Sequence, residues 1–171
     1  MKKYNFAIFG YIDFTSYFIK QLKKYNFPKP ILFVSFDNEY KRDKSIFSKY
    51  NLYSDISSLE KEGLCKIYKV KNVNSKQVHD LLKKNSCNIG ISINCRNKIN
   101  QKLIDFFKSK LFNIHAAHLP SERGGGIASW KILNDLNDIS STIHKITVNF
   151  DDGDIILNAK KNLKIDKLYP I

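Results

Sequence analysis

An amide, an imidazole and a carboxylate, the groups that acyl and proton transfer need, gather in the last third of the chain. Asn113 and His115 stand two residues apart in the apolar segment LFNIH, 111–115, which reads as a strand. Residues two apart on a strand share a face, so the amide and the ring project together from its end. A neutral amide donates to a developing oxyanion, and an imidazole shuttles a proton near neutral pH. A carboxylate is the usual group to orient such a ring, and Asp151, Asp152 and Asp154 follow a further strand. Between them runs the loop AAHLPSERGGG, 116–126, which carries His118, Arg123, Gly124 and Gly125. Arg123 either binds an acid or ties down its loop. The glycines either aim backbone N–H groups at an anion or form a turn. Thr142 and His144 are again two apart, and His144 reads as supporting the site from behind. Trp130 reads as a core residue.

The elements that must position these residues follow from pattern. YNFAIFG, 4–10, is a buried first strand, and Asp13 can cap a helix over 14–25 whose inner face is Phe14, Tyr17, Phe18 and Leu22. Strands follow at 31–36, 65–70, 88–94 and 111–115. Helices are expected at 73–84, facing inward through Val78, Leu81 and Leu82, and at 99–110, through Leu103, Phe106 and Phe107. Residues 37–63 read as irregular, with room for a short helix. Strands alternating with helices predict one α/β domain built on an open, doubly wound, mostly parallel sheet. Such sheets bind ligands at the carboxyl ends of their strands, where Asn113, His115 and Arg96 are placed. The first βα turn, FGYIDFTS, has neither GxGxxG nor GxxxxGK[ST], which argues against a dinucleotide or a phosphate-loop ATPase there.

The joint order is more specific than any part of it. Asn113-x-His115, Leu119-Pro120, Arg123-Gly124, Trp130, Thr142-x-His144 and Asp151-x-Gly153-x-Ile155 resemble the folate-dependent formyltransferases without a gap. The resemblance implies a Rossmann-like core over 1–157 and a short basic tail over 158–171. It implies transfer of a formyl group from 10-formyltetrahydrofolate, as co-substrate and without a metal, to a primary amine. It assigns Asn113 to polarising the formyl oxygen, Asp151 to orienting His115 and drawing the proton from the amine, and His115 to stabilising the oxyanion or relaying a proton. Arg96, Asp152 and Gly153 are assigned to the cofactor, His118, Arg123, Gly124 and Gly125 to the acceptor, and Thr142 and His144 to support. The chain departs from the family at Ala116, Ala117, His118, Ile127 and Ser140.

A nucleotide-linked amino sugar is the first choice of acceptor, from the RGGG-x-x-SW form of the loop. Methionyl-tRNA and glycinamide ribonucleotide stand behind it, and a non-catalytic binding protein of the same fold is the alternative outside enzymology. The net charge of +13, from 29 Lys+Arg against 16 Asp+Glu, attracts anionic small molecules. No nucleic-acid fold signature accompanies it, so nucleic acid is disfavoured and tRNA stays open. Cys65, Cys87 and Cys95 show no metal or disulfide spacing and read as core. No run approaches twenty apolar residues, so no membrane span is expected, the cytoplasm is the expected compartment, and a homodimer stays open.

Overall fold

The apolar run FAIFG forms β1, Phe6–Gly10, buried along its whole length. Such a run, with no polar alternation, is the mark of a strand covered on both faces. ILFVS behaves in the same way as β2, Ile31–Ser35. A computed structural model of the chain describes residues 4–10, 12–35, 49 and 56–162. The chain divides into two units, Met1–Leu111 and Phe112–Ile171.

In the first unit β1 and β2 are joined by β3, Lys66–Val70, and β4, Ile89–Ile93, in the order β3-β2-β1-β4 with every pair parallel. The chain winds outward from β1 to β3 and then returns to the other side of β1. The switch point therefore lies between β1 and β4, and Arg96, exposed, follows the carboxyl end of β4. Phe9 stacks on Phe33 at 5.4 Å and meets Phe107 edge-on at 6.0 Å, all three fully buried. Each such ring contributes about 1.5–3 kcal/mol on burial.

Helix α1, Ile12–Lys24, starts ahead of the expected 14, so Asp13 lies inside its first turn. Its buried residues are Thr15, Ser16, Ile19 and Leu22, spaced i, i+1, i+4, i+7, and Tyr17, expected inside, is 66% exposed. Tyr17 lies about 200° round the helix from Thr15, on the opposite side. Helix α2 is Ile56–Lys61; the rest of 37–55, apart from Lys49, lies outside the described residues. Helix α3, Lys76–Lys84, begins at 76 because Ser75 caps it, accepting from the Val78 N–H. Val78 and Leu82 face inward as expected, with His79 between them. Among the described residues the His79 Nε2 atom has no hydrogen-bond partner, and burial, with Lys102 and Lys83 nearby, holds its pKa below the usual value. Helix α4, Gln101–Phe106, is capped by Asn100 and stops before 110 because Lys108 and Ser109 turn to φ of 47° and 67°.

The second unit is built from β5, Leu111–His115, β6, Asp138–Lys145, and β7, Ile155–Asn162, paired antiparallel, with α5, Ile127–Leu133. β7 runs through the expected start of a tail at 158. In α5 the expected polarity is inverted. Lys131 is its buried residue, whereas Trp130, expected in the core, is 66% exposed and Leu133 is 77% exposed. The reason is electrostatic: two carboxylates wait on the inward side for Lys131. No helix among the described residues is long and apolar enough to cross a membrane.

Candidate active site

Antiparallel pairing sets Asn113 directly across from His144, and His115 across from Thr142. Opposed residues in such a pair share a face, so four side chains from two strands converge. Thr142 and His144 are essentially buried. The turn after β6 brings in Asp151, held at φ 49°, with 11% of its side chain exposed, as is that of His115.

The hydrogen bonds fix how these groups point. His144 Nδ1 lies 2.8 Å from the Lys145 carbonyl, which can only accept, so Nδ1 carries the proton and Nε2 is left as an acceptor. The Asn113 group facing Nε2, at 3.2 Å, must then be the amide NH2, whose second hydrogen points to Asp151 Oδ1 at 3.4 Å. His144 Nε2 is also 3.4 Å from Asp151 Oδ1. Asp151 Oδ2 accepts from the Gly124 N–H at 2.9 Å and lies 3.7 Å from His115 Nδ1. His115 Nε2 donates to the Glu122 carbonyl at 2.7 Å. One carboxylate thus sits between two imidazoles, an amide and a backbone donor. The set can donate to a developing oxyanion and accept a proton within one cluster.

The loop that supplies Glu122 and Gly124 is itself tied down. Thr142 Oγ1 donates to the Ala117 carbonyl and accepts from the Leu119 N–H, at 2.7 and 3.1 Å. Asn158 Oδ1 is a second acceptor facing the same Thr142 hydroxyl, which has one hydrogen to share, and Asn158 Nδ2 donates to the Leu119 carbonyl. Glu122 Oε2 accepts from the His118 N–H at 2.7 Å and the Ser140 hydroxyl at 3.3 Å, and Oε1 meets Lys131 Nζ at 2.9 Å. Lys131 Nζ also reaches Asp138 at 2.7 Å. Partial burial opposes ionisation of Glu122, but the His118 N–H and Lys131 outweigh it and hold its carboxyl below the usual range. The Lys131 hydrogen bond does the same for Asp138, and Asp138 with Glu122 raises Lys131 against its burial.

These shifts set a pH dependence. Two carboxyls lowered from 4.5 and 3.8 stabilise the fold fully above about 4.5, and that contribution is lost as pH falls through their folded values. A lysine raised from 10.5 contributes fully below that value and loses it only as pH rises past its folded pKa. We expect the urea midpoint of the triple variant Glu122→Gln, Lys131→Met, Asp138→Asn to fall less than the wild type's between about pH 6 and pH 3. Parallel acid limbs would show that this triad carries none of the dependence.

Other residues singled out from sequence have clear positions. Arg123 bonds Asp152 at 2.7 Å, and Asn149 also donates to Asp152. This half-exposed pair ties two loops together and is worth about 0–1 kcal/mol. Gly153 has no room for a side chain: a Cβ there would overlap the Lys145 carbonyl oxygen. Gly124 adopts φ 89°, and in that conformation its N–H reaches Asp151. Around Gly125 the space is open. The His118 backbone is engaged at both ends, by Glu122 and Ser121. Arg96 belongs to the first unit. Among the described residues, no group of three or more His, Cys, Asp or Glu is arranged to hold a metal ion.

The family model for formyl transferase matches residues 2–168. The chain belongs to the formyl transferase family. Methionyl-tRNA formyltransferase of Finegoldia magna is 30% identical over 96 residues, covering 56% of this chain and 30% of that protein. The chain therefore spans under a third of that relative's length. Phosphoribosylglycinamide formyltransferase from Streptococcus pneumoniae superposes with a TM-score of 0.70 at 17% identity, over 97% of this chain and 86% of that one. WlaRD, a sugar 3N-formyl transferase solved with dTDP and 5-N-formyl-THF, gives 0.64 at 20% identity, over 96% and 54%. These likenesses bear out the α/β fold class.

In this member of the formyl transferase family, Glu122, Lys131, Asp138 and Asn158 organise the cluster and its loop and were not apparent from motif spacing. One signal was available for Lys131, a lone cation among apolar residues in IASWKIL. None marked the Glu122 carbonyl, because a main-chain acceptor has no residue type.

Proposed function

We propose that this chain carries the formyl-transfer chemistry of an enzyme using 10-formyltetrahydrofolate, with a nucleotide-linked amino sugar as acceptor. The observation that carries the reading is the convergence of Asn113, His144 and His115 on the Asp151 carboxylate, at 3.4, 3.4 and 3.7 Å, with Asn113 also 3.2 Å from His144. The donor set suits the group: acyl transfer to an amine needs a hydrogen-bond donor for the oxygen and a base for the nitrogen, and no metal ligand. 10-Formyltetrahydrofolate would supply the activated formyl carbon.

The protein groups then act as follows. The Asn113 amide exchanges one of its two internal hydrogen bonds for one to the formyl oxygen, where negative charge develops as the amine adds. Asp151 draws the proton that the attacking nitrogen must lose, directly or through His115. The bond between the formyl carbon and the folate nitrogen would then break, with the drawn proton returned to that nitrogen, so the protein groups end in their starting state. His144, with its Nδ1 proton fixed on Lys145, keeps the Asn113 amide oriented. Asp152 and Gly153 are retained as cofactor contacts and His118, Arg123, Gly124 and Gly125 as acceptor contacts. The Arg123–Asp152 pair has to open for Arg123 to take an anion.

Methionyl-tRNA is the second acceptor, favoured by the Finegoldia magna relative and by the net charge of +13. The cytoplasm, where all these acceptors occur, is the proposed compartment. The deciding experiment is a formyl-transfer assay against nucleotide-linked amino sugars, charged tRNA and glycinamide ribonucleotide. An N-formylated sugar is the expected product. Formylation of tRNA alone would move the assignment to the second acceptor. Folate binding without turnover on any acceptor would leave a binding protein instead.

A further inference from the structure

The His115 ring has two different acceptors, the Glu122 carbonyl at 2.7 Å from Nε2 and the Asp151 carboxylate at 3.7 Å from Nδ1. A neutral imidazole donates from one nitrogen only. The shorter contact takes the proton on Nε2 and leaves the Nδ1 lone pair toward Asp151. What decides the tautomer is therefore the position of the Glu122 carbonyl. That carbonyl lies in a loop, yet the side chain of the same residue is anchored three ways, by Lys131 Nζ, the His118 N–H and the Ser140 hydroxyl. Lys131 is in turn buried on the inner face of α5 and braced by Asp138. The helix leaves its apolar residues Trp130, Ile132 and Leu133 outside while it holds this cation inside.

We propose that the Glu122–Lys131 ion pair is a positioning device for His115: it sets the Glu122 carbonyl against Nε2 and so fixes which ring nitrogen is free to take a proton beside Asp151. Neither side chain touches the cluster, and both act through the Glu122 main-chain oxygen. With Nδ1 unprotonated and aimed at the carboxylate, a proton arriving on the ring lands where Asp151 stabilises it. With the other tautomer, Nδ1–H would already donate to Asp151 and the ring could accept nothing there. This role rests on the proposed formyl transfer, but the state of the ring is measurable without it.

The test is a long-range 1H–15N correlation spectrum of the histidine rings, with His115 assigned by its loss in His115→Gln. Wild type and Lys131→Arg are expected to show the Nε2–H tautomer of His115. Lys131→Met and Glu122→Gln are expected to show a mixture of both tautomers. In the transfer assay the same two variants should lose about ten- to a hundredfold in kcat with KM unchanged, and Lys131→Arg should recover most of it. If Lys131→Met does not fold, Glu122→Gln, which keeps the shape and one acceptor, answers alone. An unchanged His115 spectrum in a folded Glu122→Gln or Lys131→Met protein would overturn the proposal. A wild type that transfers no formyl group would overturn the functional reading instead, and the ring spectra would still decide the positioning role.

Discussion

Asp151→Asn is expected to lower kcat/KM for formyl transfer about a thousandfold, the scale on which a positioned proton acceptor contributes. The substitution keeps the shape, and its effect comes from counting donors. Asp151 Oδ1 faces the Asn113 NH2 group and His144 Nε2, and Oδ2 faces the Gly124 N–H and His115 Nδ1. A carboxylate accepts at both ends. An amide accepts at one end and donates at the other, so one existing donor must meet another donor whichever way it rotates. An unpaired part-buried donor adds a stability loss of about 1–3 kcal/mol. The two effects are read by separate measurements. Single-turnover transfer at saturating donor and acceptor reads the chemical step, and a urea titration reads the fold. A folded variant retaining more than about a tenth of wild-type turnover would remove Asp151 from the chemistry.

Gly153→Ala is expected to destabilise the second unit by about 2–4 kcal/mol, at the upper end of what overpacking costs. The added Cβ would overlap the Lys145 carbonyl oxygen and lie 2.8 Å from its carbon. Both obstacles are backbone, so no rotamer change relieves them. The strand end must move, and with it the bond from the Lys145 N–H to the Asp154 carbonyl. The Lys145 carbonyl is also the acceptor that fixes the His144 ring. The same substitution should therefore lower turnover even under conditions where the protein is folded. Trp130, the one tryptophan of the chain, lies in this unit and reports its unfolding by fluorescence. Gly125→Ala is the control, since a Cβ at that position would meet no atom within 4 Å, and it should stay within about 0.5 kcal/mol of wild type. Equal urea midpoints for Gly153→Ala and wild type would refute the steric account of this glycine.

The strands of the first unit could be read because burial on both faces leaves continuous apolar runs, as in FAIFG and ILFVS. Asn113 and His115 could be read because strand spacing alone puts them on one face. Asp151 needed the wider order of residues, since nothing local distinguishes it from Asp152 or Asp154. The structure separates the three: Asp151 joins the cluster, Asp152 pairs with Arg123, and Asp154 pairs with Lys145. Helix α5 defeated the reading because amphipathic logic assumes that the apolar side turns inward. Here Glu122 and Asp138, nine and seven residues from Lys131, reverse it. Tyr17 lies outside for a related reason, because Thr15, Ile19 and Leu22 form an equally regular stripe and the small hydroxyl residues Thr15 and Ser16 are the ones that pack.

Two of the groups that hold the cluster, the Gly124 N–H on Asp151 and the Glu122 carbonyl on His115, belong to the main chain. Replacing a side chain can move these atoms but never removes them, so each remains available after any single substitution. Their placement depends on how many peptide units separate the end of β5 from Gly124. Removing or adding one unit between His115 and Glu122 would shift both contacts at once. The segment is thus under a constraint of length, distinct from any constraint on its composition, and recombination among loops at this site succeeds only between segments of matching residue count.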